Sequence, residues 1–295
     1  MSWFLIYGYL YNELAYPTGY RISWIMTYQQ TFLKSVTVLD TETTNLYPEE
    51  AEIVEIAAAR YDGQNWQVSS RLLGSREPIP PEASAKNHIS PRMIEGKPVF
   101  SDVPDEIASM LSWKDAGYFV AHNCPYDQTV LAKSWLECGR QQDAATSESR
   151  RRWICTFRLA KQLLNFDFKN MQYNLSFLRY KLDLPVSDDL PSHRADADTL
   201  ICAVLFEFLV DYALAMQLII DGPDLGEQVH QLCWKPLAIT TWPFGKNKGK
   251  LLSEIPDDYY AWALQNMDAL NEDKPGFDPD LAASVAAELE RRFEQ

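Results

Sequence analysis

Positive charge is short in this sequence. Its 27 lysines and arginines face 41 aspartates and glutamates, a formal net charge of −14 at pH 7. That balance excludes a general electrostatic attraction to nucleic acid or to anionic membranes. It leaves open an enzyme that holds a polyanion locally, through metal ions and a few basic residues. Long apolar runs are missing too. The run at residues 3–10 is too short to span a bilayer, no basic residue precedes it, and Glu13, Pro17, Gly19 and Arg21 break up the stretch after it. Neither a signal peptide nor a transmembrane helix fits, and no stable membrane association is expected. Paired cysteines are the third absence. Cys124, Cys138, Cys155, Cys202 and Cys233 are odd in number and lack the close spacing of a metal site. They read as free, mostly buried thiols in a reducing compartment, the cytoplasm.

What is present is an ordinary globular chain of 295 residues, 46% hydrophobic and 23% charged, large enough for one full domain and an appendage. Residues 1–35 are aromatic-rich and carry few charges. They read as an N-terminal extension, either an irregular arm or, with Met26 as an alternative start, an upstream artefact. Residues 36–215 read as the main domain, 216–234 as a linker and 235–295 as a small C-terminal module.

In the main domain, residues 36–39 form a short β-prone run, followed by strands at 51–62 and 64–73 with Asp62-Gly63 turning between them. A helix is expected over 100–111, capped by Ser101, and a short buried strand over 118–121. Asn123 is expected to cap the next helix, with Pro125 in its first turn. Residues 141–151 read as an exposed polar loop, 153–156 as a strand leading into a helix, and 195–214 as a long helix. Three strands joined by short turns, then a strand after a helix, then helices, describe an α/β sandwich with a mixed sheet.

The chemistry concentrates in five residues. Asp40 and Glu42 end the first strand. Spaced by two, they leave the backbone on one face, where like charges repel unless a cation joins them. Oxygen ligands suit magnesium or manganese, and zinc is disfavoured because no cysteine is near. Asp127 falls in the first turn of the helix after the buried strand. Asp198 heads an apolar stripe with Ile201, Cys202, Leu205 and Leu209, where an uncompensated carboxylate would be costly. Asp196, on a mixed face, competes with it but is less suited. His193, in the loop before that helix, suits a mobile general base working near neutral pH. Four carboxylates and a loop histidine suit two-ion hydrolysis of a phosphodiester, both ions stabilising charge on the attacking and leaving oxygens.

With these residues in order, the chain resembles the DEDD superfamily of 3′-to-5′ exonucleases in its histidine subclass. The three motifs look like Asp40-Thr-Glu42-Thr, His122-Asn123-Cys-Pro-Tyr126-Asp127 and His193-Arg-Ala-Asp-Ala-Asp198. The residues 153–161 and 169–171, and the tail's Phe244-Gly-Lys246-Asn-Lys-Gly249-Lys250 with Tyr259 and Trp262, look like the exodeoxyribonuclease X branch. The resemblance implies a ribonuclease-H-like fold with a mixed five-stranded sheet whose second strand is antiparallel. It implies Asp40, Glu42, Asp127 and Asp198 as ligands of two Mg2+ or Mn2+ ions and His193 as general base. The substrate it implies is a DNA 3′ end, single-stranded or frayed, in a setting such as DNA repair. An exoribonuclease, a polymerase-associated proofreading enzyme and a silent nucleic-acid-binding relative are the alternatives. Substrate contacts are expected from Thr41, Thr43, His122, Asn123, Tyr126, Arg158, Lys246 and Lys250, with Arg150, Arg151, Arg152, Lys161 and Lys248 as further basic candidates. Where the family usually has glycine after its first motif, this chain has Thr44-Asn45-Leu46, and Asn45 is expected to supply a left-handed turn.

Overall fold

The computed structural model describes residues 27–149, 152–164, 173–191 and 193–294. Five strands, β1 (Val36–Thr43), β2 (Ile53–Tyr61), β3 (Trp66–Leu72), β4 (Tyr118–Ala121) and β5 (Trp153–Cys155), form one mixed sheet in the order β3-β2-β1-β4-β5. β2 is antiparallel to both β1 and β3, while β4 is parallel to β1 and β5 to β4. The three parallel strands therefore end on the same side of the molecule, the side from which sites on open α/β sheets project.

β2 carries Val54, Ile56, Ala57, Ala58 and Ala59 buried on both of its faces. The small alanines let the helix α9 (Ala195–Ala215) pack closely across β1, β2 and β3. α9 is itself apolar nearly all round, burying Ile201, Cys202, Leu205, Phe206, Leu209 and Val210, as a helix sunk in a core must. On the other side of the sheet, Phe100, Trp113, Phe119, Trp135 and Trp153 form an aromatic core, with Trp113 and Phe119 stacked at 4.4 Å. Ile79, Ile89 and Ile94 pin the short helices α2 (Pro81–Asn87) and α3 (Pro91–Ile94) against Val54 of β2.

Several expected boundaries move. Tyr28–Ser35, expected in the extension, is a helix, α1, because Phe32 and Leu33 pack into the main core, Phe32 edge-on to Tyr118 and Phe206. Residues 1–26 lie outside the described residues. The expected helix over 100–111 divides: Phe100–Asp102 is a 3-10 turn, and Pro104, which has no N–H to continue it, starts α4 (Pro104–Met110). Asn123 is not a cap. It takes a left-handed turn at φ 65°, and α5 (Pro125–Glu137) begins after Cys124. Residues 141–148 are not a loop but a helix, α6 (Gln141–Glu148), docked on α5 by buried Ala144 and Ser147. The helices α7 (Thr156–Leu163) and α8 (Leu175–Lys181) follow, the second capped by the Asn174 side chain. Half of the expected linker is a helix, α10 (Leu225–Trp234), whose Leu225, Val229 and Cys233 belong to the main core.

The C-terminal module builds its own small core. Trp242 is fully buried among Leu252, Ile255, Tyr260, Ala263, Leu281 and Val285, drawn from α11 (Asp257–Asn266), α12 (Pro279–Phe293) and the turns before them. All five cysteines are free thiols, four of them buried. Among the described residues no helix is long and apolar enough to cross a membrane.

Candidate active site

Asp40 and Glu42 stand at the C-terminal end of β1, where the ladder to β2 slips its register after Glu42. Asp198 arrives from the first turn of α9. One carboxylate oxygen from each of Asp40, Glu42 and Asp198 lies within 4.8 Å of the others. The rival Asp196 instead accepts the Ala197 N–H at 2.8 Å and stays out of this group. Asp127, in the first turn of α5, is buried, and its carboxylate accepts a hydrogen bond from Thr41 Oγ1 at 2.7 Å. It lies near enough to Asp40 for their charges to repel. His193 is exposed, in the left-handed region at φ 62°, and its backbone N–H donates to Asp198 Oδ2 at 3.2 Å. Thus the three strand and helix acids converge, Asp127 adjoins them, and the histidine is tethered beside Asp198 by its backbone, its ring without a hydrogen-bond partner among the described residues.

Electrostatically the group is under pressure to take up a cation or protons. Burial, then repulsion from Asp127, Glu42 and Asp198, holds the Asp40 carboxyl well above its ordinary range. Burial pushes Glu42 up to about 8, aided by Asp198 and Glu55 and partly offset by the Lys86 ammonium. Burial carries Asp127 up to about 7 despite the Thr41 hydrogen bond. Asp198 is raised by burial against the opposing pull of His193. Clustered carboxylates that resist ionising together are what a hard divalent cation stabilises, and an all-oxygen donor set fits magnesium or manganese. The residues present thus fit a divalent ion.

Two residues that matter here escaped the sequence reading. Glu55 lies directly opposite Glu42 in the β1–β2 register and is only 1% exposed. It is held by the Arg194 guanidinium in a two-pronged pair, at 3.0 and 2.7 Å, and also accepts the Ala195 N–H at 3.1 Å. This pair partly offsets the charge of a fifth acid beside the cluster. It also ties the residues immediately after His193 to the sheet, so the loop and the head of α9 are fixed relative to β1. The signal was legible: a glutamate inside the apolar run IVEIAAA needs a partner. Asn87 is the other. It is buried and donates to Thr43 O at 3.3 Å, fastening α2, and so Lys86, beside Glu42.

The expected substrate contacts divide. Tyr126 Oη donates to Asn45 O at 2.5 Å and hydrogen-bonds Thr43 Oγ1, closing the turn after β1. Asn45 is not left-handed. It makes the turn by accepting the Tyr47 N–H on its side chain, at 3.1 Å, and Leu46 and Tyr47 of that turn are exposed. Thr41 faces Asp127, not open space. His122 does not present its ring to a ligand, because Thr156 Oγ1 and Tyr173 O occupy its two nitrogens, both at 2.9 Å, and burial pushes it down to about 4. Arg158 is also otherwise employed. It grips Asp280 at 2.7 and 2.8 Å and donates to the carbonyls of Cys233 and Lys235. Arg152 donates to the carbonyls of Trp113 and Ala116, and Lys161 lies over the Phe157 ring. Asn123, Lys246 and Lys250 are exposed. Arg150, Arg151 and residues 169–171 lie outside the described residues.

A family model described as RNase_T, exonuclease, matches residues 37–206, more than half of the chain. Exodeoxyribonuclease 10 of Escherichia coli is 28% identical over 239 residues, covering 79% of this chain and 92% of that protein. The DNA polymerase III epsilon subunit of Treponema pallidum is 29% identical over 175 residues, 59% of this chain and 75% of that protein. Among solved structures, E. coli exonuclease I bound to a dT13 oligonucleotide superposes with a TM-score of 0.51 at 15% identity, covering 62% of this chain and 42% of that one, a likeness of fold. The matched span runs from β1 into α9 and contains Asp40, Glu42, Asp127, His193 and Asp198, and the chain belongs to the RNase_T exonuclease family.

Proposed function

We propose that this protein removes nucleotides one at a time from DNA 3′ ends, by hydrolysis at a site of two magnesium or manganese ions bound by Asp40, Glu42, Asp127 and Asp198. The observation that carries the reading is the convergence of Asp40, Glu42 and Asp198 within 4.8 Å at the end of β1 in an exonuclease fold. When bound, the ions would supply positive charge to the attacking and leaving oxygens of an in-line displacement at phosphorus. The chain's own residues do the rest. Asp40 and Glu42 hold fixed positions on a strand, and Asp198 is fixed relative to them by the Glu55–Arg194 pair. His193, tethered at its backbone, takes the proton of the attacking water on its ring. The water oxygen bonds to phosphorus as the bond to the 3′ oxygen of the preceding nucleotide breaks. That oxygen gains a proton, and a nucleoside 5′-monophosphate leaves. The turn held by Thr43, Asn45 and Tyr126 borders the place of the terminal nucleotide. The likeness to exodeoxyribonuclease 10 over 92% of its length supports DNA as the polymer.

A DNA and an RNA oligonucleotide, each labelled at the 5′ end, digested side by side with Mg2+ and with chelator, test this. Stepwise shortening of the DNA from its 3′ end, abolished by chelator, is the expected result. Preference for RNA, or digestion that persists in chelator, overturns it. The likeness to the polymerase epsilon subunit favours a second reading, proofreading beside a polymerase. Under that reading a mismatched primer terminus would be removed much faster than a matched one.

A further inference from the structure

Three lysines fall within five residues at 246–250, with no acid among them. They sit on a turn of fixed shape. Gly245 and Gly249 bracket it at φ 65° and 85°, angles that favour glycine, and a Cβ on either would meet nothing within 4 Å. Glycine is therefore required there by the backbone path and not by packing, and the turn's outer side is open. From inside, the turn is locked: Asn247 is buried, Gly249 N–H donates to Trp242 O at 2.8 Å, Trp242 N–H donates to Lys250 O at 2.8 Å, and Lys250 Nζ donates to Asn247 Oδ1 at 3.1 Å. Among the described residues, none of the three ammonium groups has a carboxylate partner, whereas Arg291 and Arg292 of the same module are both paired with Glu288.

An aromatic strip continues from the lysines. Lys246 Nζ lies 5.0 Å from the centre of the Tyr259 ring. Tyr259 meets Trp262 one turn further along α11, with ring centres 5.4 Å apart. Trp262 is 49% exposed, although Trp242, whose ring centre is 5.3 Å from that of Tyr259, is fully buried. A large indole left half in water beside cations without a carboxylate partner is a combination that suits single-stranded nucleic acid, phosphates on the charges and a base on the ring. The module's attachment points the same way. Arg158, which grips Asp280 of α12, stands three residues past the end of β5. β1 and β5 run parallel with β4 between them. The module is thus fastened just beyond the C-terminal end of β5, the end of the sheet at which β1 carries Asp40 and Glu42.

We infer that Lys246, Lys248, Lys250, Tyr259 and Trp262 form a second binding site, for single-stranded DNA upstream of the 3′ terminus, which retains the substrate strand while the active site shortens it. The inference rests on the proposed function for the identity of the strand. On a chain of net charge −14, it also explains how the strand is held at all.

Fluorescence anisotropy of a labelled oligothymidylate of about 25 nucleotides, with the full chain in chelator, reads this site apart from catalysis. The expected result for the triple variant K246A/K248A/K250A is affinity lower by about tenfold. Its logarithmic salt slope should be shallower by about 2, from roughly 0.7 per lost phosphate contact. The corresponding triple arginine variant should retain both, and W262A should weaken binding several-fold without changing the slope. With Mg2+, kcat/KM of the triple alanine variant should fall about tenfold more on the long strand than on a tetranucleotide. Unchanged affinity and slope, or equal losses on long and short substrates, overturns the inference, as does an oligothymidylate that binds W262A and wild type alike. A protein that binds the strand through these residues but digests neither DNA nor RNA would remove the proposed function and leave this site standing.

Discussion

The main domain and the C-terminal module each gather charges of one sign, and they do so under opposite conditions. At the end of β1 the acids are buried, tied to rigid elements and driven out of their ordinary ionisation range by that burial first and, for Asp40 and Glu42, also by their neighbours' charges. In the module the lysines stand on an open turn with water around them. Buried like charge is costly and is kept only where something must be bound tightly and in a fixed place. Exposed like charge costs little and binds loosely, with strong salt dependence. The difference matches the proposed division of labour, in which one region does chemistry on one phosphate and the other holds many in turn.

The sharpest way to break the comparison is at Asp40. Asp40→Asn should lower turnover by about 10³-fold or more, since it removes a charge on which the proposed ion site depends. In chelator the same variant should be more stable than wild type, because a repelling buried carboxylate is gone; a rise of ~2–4 °C in Tm corresponds to about 1 kcal/mol. A charge removed from the module should do neither. An Asp40→Asn protein that digests DNA at the wild-type rate, or that melts lower in chelator, contradicts this account of the acids.

Arg194→Ala comes next in size. It leaves Glu55 buried without its partner, and breaking a buried pair costs about 3–5 kcal/mol. The freed loop should also misplace His193 and Asp198, lowering kcat by roughly 10²-fold. Converting both partners, Glu55→Gln with Arg194→Met, should restore much of the stability but less of the turnover. If stability and activity recover together, the pair has no positioning role.

The third effect is one of pH. Glu42 and Asp127 have raised folded-state values, about 8 and about 7. A carboxyl raised on folding stabilises fully below its unfolded value, near 4, and loses that contribution as pH rises through the folded one. Without divalent cations Tm should therefore fall as pH rises from about 5 to 8. Added Mg2+ or Mn2+ should reverse the fall, and most strongly at the alkaline end. Thermal melts at a series of pH values, with and without the ion, read this directly, and a metal-independent profile contradicts it.

Much of this was legible in the sequence because it rests on local periodicity. Asp40 and Glu42 needed only the two-residue period of a strand, and Asp198 only its place ahead of Ile201, Cys202 and Leu205 on a helix. The mixed sheet followed from turns and element order. What failed depended on tertiary packing. Gln141–Glu148 is polar in composition but docks through Ala144 and Ser147, and α10 reads as linker until Leu225, Val229 and Cys233 meet the core. His122 and Arg158 suit substrate contact by residue type alone. What each actually binds, Thr156 and Tyr173 for one and Asp280 for the other, lies 34, 51 and 122 residues away in sequence. Glu55 and Arg194 were missed for the same reason, since 139 residues separate them.

Arg158 gives the smallest effect and the one that joins the two regions. Its guanidinium grips Asp280 and also donates to the carbonyls of Cys233 and Lys235, so one side chain fastens α7 to both the end of α10 and the start of α12. The pair is partly exposed, 15% and 17% at the side chains, and the module keeps its own core around Trp242. Arg158→Ala should therefore leave each region folded while loosening the joint, at a cost of about 1–3 kcal/mol for a charge-assisted pair. Calorimetry should then resolve a lower-melting step for the module where the wild type unfolds more cooperatively. If the joint serves only stability, long and short DNA substrates will suffer alike. If it aims the lysine turn at the strand leaving the active site, loss on a long strand should exceed loss on a tetranucleotide by a few-fold. That excess should vanish in a protein already carrying K246A/K248A/K250A, because a misdirected module without its lysines has nothing further to lose.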